Sequence, residues 1–146
     1  MKYVFPVLLT EDESGRWVAT CRDVPEAMTD GVDLDAVTGD MGAALGAALA
    51  GYLKQGRRLP SPSVPDVCEL LMPVAPLVAA KLALSSAMNR QGVSNSELAR
   101  RLGVTEAVVR RMVDPDHASR LDRLVDALSC LGVCLAIEDV PDVSAA

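Results

Sequence analysis

Two short apolar stripes hinged by one glycine constrain this chain more than any other feature. The segment is Ser94-Asn95-Ser96-Glu97-Leu98-Ala99-Arg100-Arg101-Leu102-Gly103-Val104-Thr105-Glu106-Ala107-Val108-Val109-Arg110-Arg111-Met112. Leu98, Ala99 and Leu102 fall on one face of a first helix, and Val104, Val109 and Met112 turn inward from a second. Ser94, followed three residues later by Glu97, is a capping-box pattern, which satisfies free N–H groups at a helix start. Gly103 permits the turn, and Thr105 is placed to cap a helix from Glu106 to Val113, which Pro115 stops. Ala99 has to be small, because a larger side chain would push the two helices apart. Two short helices crossing steeply over a tight turn let the second one enter a major groove.

Helices are expected on both sides of this segment. Leu77 to Gln91 forms one, ended by Gly92 and Val93. Ser119 to Leu131 forms another, with Leu121, Leu124, Val125 and Leu128 on its inner face. Val133 to Asp139 alternates loosely and reads as a terminal strand.

The front half has a different rhythm. Tyr3 to Thr10 and Trp17 to Cys21 read as two strands, joined by the polar turn Glu11-Asp12-Glu13-Ser14-Gly15. Pro25 breaks the second strand, and Ala27 to Asp30 forms a short third. Asp33 caps a helix whose apolar stripe is Leu34, Val37, Met41, Leu45, Ala48, Leu49 and Tyr52. Gly39, Gly42, Gly46 and Gly51 each cost that helix about 1 kcal/mol relative to Ala, so close approach to a sheet is expected in return. Gln55 to Pro65 is a loop, and Val67 to Pro73 a returning strand. The fold class is therefore α+β. Residues 1–72 form a β-β-β-α-β unit, 73–76 a proline-punctuated linker, and 77–146 an all-α unit with a terminal strand.

Charge separates the halves. Met1 to Met72 carries six basic and eleven acidic residues, whereas Arg90 to Arg123 carries seven basic and five acidic ones. Such asymmetry implies two different partners. No run of about 18 apolar residues is present, so no membrane span is expected. Met1 to Thr10 lacks the long apolar stretch of a signal peptide, which makes a cytoplasmic location the expectation. Cys21, Cys68, Cys130 and Cys134 form no Cys-x-x-Cys pair, and His117 is the one histidine. Reduced cysteines in or near a core, with no metal site and no cofactor, follow.

The segment Ser94 to Met112, with its Glu-Leu-Ala-Arg-Arg-Leu-Gly-Val core, resembles the Cro and phage-repressor class of helix-turn-helix proteins. That resemblance implies operator DNA as a partner and gives the residues roles by position. Thr105, Glu106 and Ala107 would lie nearest the base edges, with Arg110 and Arg111 a turn further on. An Arg there holds guanine O6 and N7, Glu106 accepts from cytosine N4, and Ala107 touches a thymine methyl. Ser94 and Asn95 would bind phosphate. Such readers dimerise to span two half-sites, so a homodimer or tetramer is expected, with Ser119 to Asp139 as its surface.

The front half resembles HicB antitoxins. The resemblance rests on the strand Tyr3-Val4-Phe5-Pro6-Val7, the hairpin ending in Gly15, and Asp23-Val24-Pro25-Glu26-Ala27-Met28-Thr29-Asp30-Gly31. Glu26 and Ala27 stand where that family usually has Gly and Cys. The resemblance implies a partial ribonuclease H-like fold, and a HicA-like, mRNA-cleaving toxin as the partner that is bound and inhibited. A nuclease would need several carboxylates converging on metal ions. Asp23, Asp30, Asp33, Asp35 and Asp40 are available, but Tyr3 to Leu9 supplies no inward acid, so no catalytic residue is assigned. The alternative is a ligand-sensing helix-turn-helix transcription regulator.

Overall fold

The computed structural model describes residues 1–140. Strands β1 (Val4–Glu11) and β2 (Trp17–Thr20) form the expected hairpin. The Asp12 carboxylate organises its turn by accepting from the N–H groups of Ser14 at 2.8 Å and Arg16 at 3.0 Å. Strand β3 (Met28–Gly31) follows the proline break, one residue later than its sequence signal. Strand β4 (Glu69–Pro73) completes a four-stranded antiparallel sheet of order β3-β2-β1-β4.

Helix α1 (Leu34–Lys54) starts where the Asp33 carboxylate accepts from the Ala36 N–H at 2.8 Å. It lies on one face of the sheet. Val37, Met41, Leu45 and Leu49 pack there against Phe5, Val7, Ala19 and Met72, all buried in one cluster. The glycines of α1 divide by position. A Cβ on Gly42 would stand 3.1 Å from the Pro73 carbonyl oxygen, and one on Gly46 would stand 3.0 Å from a Val78 methyl. Gly39 and Gly51 face open space. Close approach is thus made to the end of β4 and to the next helix, and only by two of the four glycines.

That next helix, α2 (Pro76–Gln91), begins with proline in its first turn, where a missing N–H is harmless. It packs two ways. Leu82 belongs to the sheet cluster, whereas Ala80, Leu84, Ala87 and Met88 join a second cluster with helices α3 (Asn95–Leu102), α4 (Glu106–Val113) and α5 (Leu121–Cys130).

Three expectations need correction. Val133 to Asp139 forms no strand, because a strand needs a ladder partner and none of the described residues offers one. Val133 and Leu135 instead pack half-buried on the second cluster, and Glu138 pairs with Lys2 at 2.7 Å. The last helix is shorter than Ser119 to Leu131, and its buried stripe is Leu124, Ala127 and Leu128, leaving Leu121 and Val125 each 36% exposed. Of the cysteines, Cys21 is buried, while Cys68, Cys130 and Cys134 are exposed. Residues 141–146, the end of the expected second unit, lie outside the described residues. Within them, no helix is long and apolar enough to cross a membrane.

Candidate nucleic-acid interface

Helices α3 and α4 are short, and each is amphipathic. Leu98 and Val109 are fully buried between them, with Ala99 and Met112 nearly so. Val104 departs from its expected inward role: it lies in the turn and is 37% exposed. The turn is closed by Gly103 at φ +67°, a conformation that glycine adopts without a Cβ clash. The Val104 N–H then donates to the Ala99 carbonyl at 3.0 Å, which satisfies an end group of α3.

The start of α3 forms half of the expected capping box. The Ser94 hydroxyl accepts from the Glu97 N–H at 3.1 Å. The Glu97 carboxylate turns forward instead of back. It accepts from Arg100 at 2.9 and 2.8 Å and from Arg101 at 2.8 Å. These two hydrogen-bonded guanidiniums hold the Glu97 carboxyl well below the usual carboxylate range, at about 2. Arg100 and Arg101 are thereby pinned along α3.

Thr105 does stand at the start of α4, but its side chain makes no capping bond. Sequence position alone does not fix the hydroxyl rotamer. Thr105, Glu106 and Ala107 are all exposed, at the end of α4 that carries the helix's partial positive charge. Arg110 pairs with Glu106 at 3.2 Å on the helix surface. Arg111 is exposed, and among the described residues its side chain forms no ion pair. Ser94, Asn95 and Arg110 share a cleft of about 570 Å³ with Lys54 of α1 and Lys81 of α2. The structure thus gathers the site residues into two groups. One group lines this cleft, the other, Thr105 to Ala107, sits at the open tip of α4, and Arg111 stands apart from both.

Lys81 is the residue that sequence reasoning passed over. It is 1% exposed, and its ammonium donates to three carbonyls: Arg111 at 3.3 Å, Asp114 at 2.5 Å, and His117. Burial pushes its pKa down, while Asp114 and Asp116 pull it back up. A cation at this point complements the C-terminal end of α4 and anchors that helix to α2. The available signal was a charge interrupting the apolar stripe Leu77, Leu84 and Met88.

The carboxylates of the front half do not converge. Asp23 accepts from the backbone and hydroxyl of Ser63, Asp30 pairs with Arg16, Asp33 caps α1, and Asp35 and Asp40 lie exposed on α1. Glu26 accepts from the Tyr52 hydroxyl and from Arg57 at 3.3 Å. Those bonds, Tyr52 first, lower the Glu26 pKa.

Comparison with known proteins adds the remaining finding. The model of the HicB-like antitoxins of bacterial toxin–antitoxin systems matches residues 4–83. Antitoxin HicB 2 of Photorhabdus laumondii is 34% identical over 128 residues, covering 88% of this chain and 90% of its own. Antitoxin HicB of Escherichia coli K12 is 30% identical over 136 residues, covering 91% and 96% respectively. Antitoxin HicB of Pseudomonas fluorescens is 31% identical over 134 residues, covering 90% and 92%. Alignments of this length take in the helical half as well as the sheet.

Proposed function

This chain belongs to the HicB-like antitoxin family, and on that premise we propose that it binds and inhibits a HicA-like toxin and represses its own operon by binding DNA. The antitoxin role follows from relatives that share nearly the whole chain. On this reading the protein is regulatory and not an enzyme. Residues 1–72, a sheet-and-helix unit of partial ribonuclease H-like type, neutralise the toxin. Residues 73–76 link them to a helix-turn-helix unit over 77–146.

One observation carries the DNA reading. Helix α4 leaves its leading end uncovered, Thr105 to Ala107, with Arg111 behind it, in no ion pair among the described residues. The N-terminal residues of a recognition helix are the ones that meet base edges. Ser94 and Asn95 contact phosphate at the start of α3, and Arg110 leaves Glu106 for the DNA. The protein acts as a homodimer or tetramer, with Leu121, Val125 and Ile137 as exposed apolar contacts for a second copy.

The test is a gel-shift titration on operator DNA. Arg111→Ala weakens specific binding by about 1–3 kcal/mol. Equal affinity for variant and parent overturns the assignment. A second reading, a ligand-sensing regulator, has the cleft beside α3 in its favour. Several of that cleft's polar groups already have internal partners, since Ser94 caps α3, Lys81 holds carbonyls and Arg110 pairs with Glu106.

A further inference from the structure

The front half is acidic, yet its acid is spread unevenly. From Met41 to Pro65 there is no Asp or Glu, and three basic residues, Lys54, Arg57 and Arg58, stand close together. They are half of the six basic residues in Met1 to Met72. The other three are each held in an ion pair, Lys2 with Glu138, Arg16 with Asp30 and Arg22 with Glu69. Arg57 pairs with Glu26. Lys54 and Arg58 are exposed and take part in no ion pair among the described residues. A cation in the last turn of α1 suits the negative end of that helix. Its surroundings give Lys54 a second use.

The last turns of α1 are fixed against α2. Ala50 and Leu53 belong to the same cluster as Leu82, and the neighbouring Lys81 holds the carbonyls at the end of α4. This seam sets Lys54 in the wall of the cleft that also contains Ser94, Asn95 and Arg110. The charged residues lining the cleft are three bases, Lys54, Lys81 and Arg110, and one acid, Asp114. Lys81 donates to carbonyls, Arg110 pairs with Glu106, and Asp114 accepts from the N–H of Asp116 at 3.1 Å. Lys54 is the lining cation left without an acidic partner among the described residues. Ser94 and Asn95 are the residues to which the DNA reading assigns a phosphate, so a phosphate at the start of α3 lies in the cleft that Lys54 lines. The duplex backbone favours each cation brought to it and repels acidic surface. We propose that Lys54 is a DNA-phosphate contact supplied by the front half, extending the grip of Ser94 and Asn95 across the cleft; this rests on the DNA reading above. The acid-free stretch around Lys54 keeps the negative charge of the front half away from the duplex.

The experiment is a fluorescence-anisotropy titration of the full-length chain over about 50–200 mM salt. The probes are a duplex from the promoter of its own operon and a scrambled duplex of equal length. Lys54→Gln weakens both complexes by the same factor, at least about threefold, and flattens the slope of log affinity against log salt by about 0.9 for each protomer bound. Lys54→Arg keeps the slope of the parent. Arg16→Gln makes the same change of net charge near the start of α1, a helix of 21 residues and about 30 Å, and leaves the slope unaltered. Circular dichroism melts that match the parent show that each variant is folded. If the parent binds neither duplex, the DNA reading falls and this inference falls with it. If the parent binds and Lys54→Gln keeps its slope, the inference is overturned while the reading stands. An equal loss of slope in Arg16→Gln assigns the effect to net charge and overturns the inference as well. A loss confined to the promoter duplex makes Lys54 a reader of sequence and overturns its phosphate role.

Discussion

The polar links of the front half and those of the helical half span different sequence distances. In the front half they tie remote segments together. Arg22 reaches Glu69 across 47 positions, Ser63 reaches Asp23 across 40, and Tyr52 reaches Glu26 across 26. Together they fasten α1, the loop after it and the start of β4 to the bend between β2 and β3. In α3 and α4 the pairs are local: Glu97 with Arg100 and Arg101, and Glu106 with Arg110, all at helical spacings of three or four. A local pair forms with its helix and adds little, about 0.5 kcal/mol. A remote pair exists only when the tertiary fold does, so its loss is felt by the whole unit.

Lys81 breaks this pattern, because it is a long-range link inside the helical half. Replacing it with Met leaves the carbonyls of Arg111, Asp114 and His117 without their buried donor. Lys81→Met lowers stability by about 3 kcal/mol, read from urea unfolding. A loss below about 1 kcal/mol, no larger than a surface pair gives, would show that α4 is held by its apolar face alone. The front-half counterpart is smaller. Tyr52→Phe removes the hydroxyl donor to Glu26 and keeps the ring over which the Arg57 guanidinium stacks, 3.7 Å from its centroid. The cost is about 1.5 kcal/mol by the same measurement, because the acceptor is charged. A silent Tyr52→Phe would remove the distinction between remote and local links.

These distances also decide what the sequence makes legible. The four strands, the Asp33 cap, the Ser94 cap and the Gly103 turn each depend on residues within a few positions; the caps and the turn are where their local signals put them, and the strands lie within one or two residues of theirs, β3 starting one residue late and β4 two. The direction of the Glu97 side chain is not legible, because the back-bonded and forward-bonded rotamers are both local and Arg100 and Arg101 decide between them. The inner stripe of α5 is displaced by packing against α2 and α3, so Ala127 is buried where Val125 was expected. Val133 to Asp139 has strand-like alternation but no partner in the described chain, and alternation without a ladder is not a strand. Among the site residues, the exposure of Thr105 to Ala107 follows from their place at a helix start. The Lys81 anchor depends on carbonyls 30 to 36 positions away, beyond any window of local reasoning.

The seam between the halves gives a third comparison, within one helix. Gly46→Ala places a methyl 3.0 Å from Val78, which must shift, so the variant is less stable by about 1 kcal/mol despite a better helix former. Gly39→Ala meets open space, and the same propensity gain stabilises it by up to about 1 kcal/mol. Thermal unfolding of the two variants side by side reads the difference. The same sign for both would mean that α1 and α2 slide apart without cost.

The smallest effect isolates a local pair by its titration. Glu97 is held at about 2 in the folded chain by Arg100 and Arg101, below the ordinary carboxylate value of about 4.3. A depressed carboxylate contributes stability that is complete above its unfolded pKa and is lost as pH falls through the folded one. The relevant window therefore runs from about pH 5 down to about pH 2. Glu97→Gln keeps an acceptor near the arginines but has no charge to titrate. Across that window the parent's denaturation midpoint falls more steeply than the variant's. Asp12, Glu26, Glu69 and Asp122 are also lowered, but they titrate in both proteins, so the difference between the two curves belongs to Glu97. Glu69→Gln, compared in the same way, removes the remote partner of Arg22, whose carboxylate is far less exposed than that of Glu97. Its acid-side difference exceeds that of Glu97→Gln if remote links carry more of the fold. Equal differences would mean that burial and sequence distance do not set what a carboxylate contributes here.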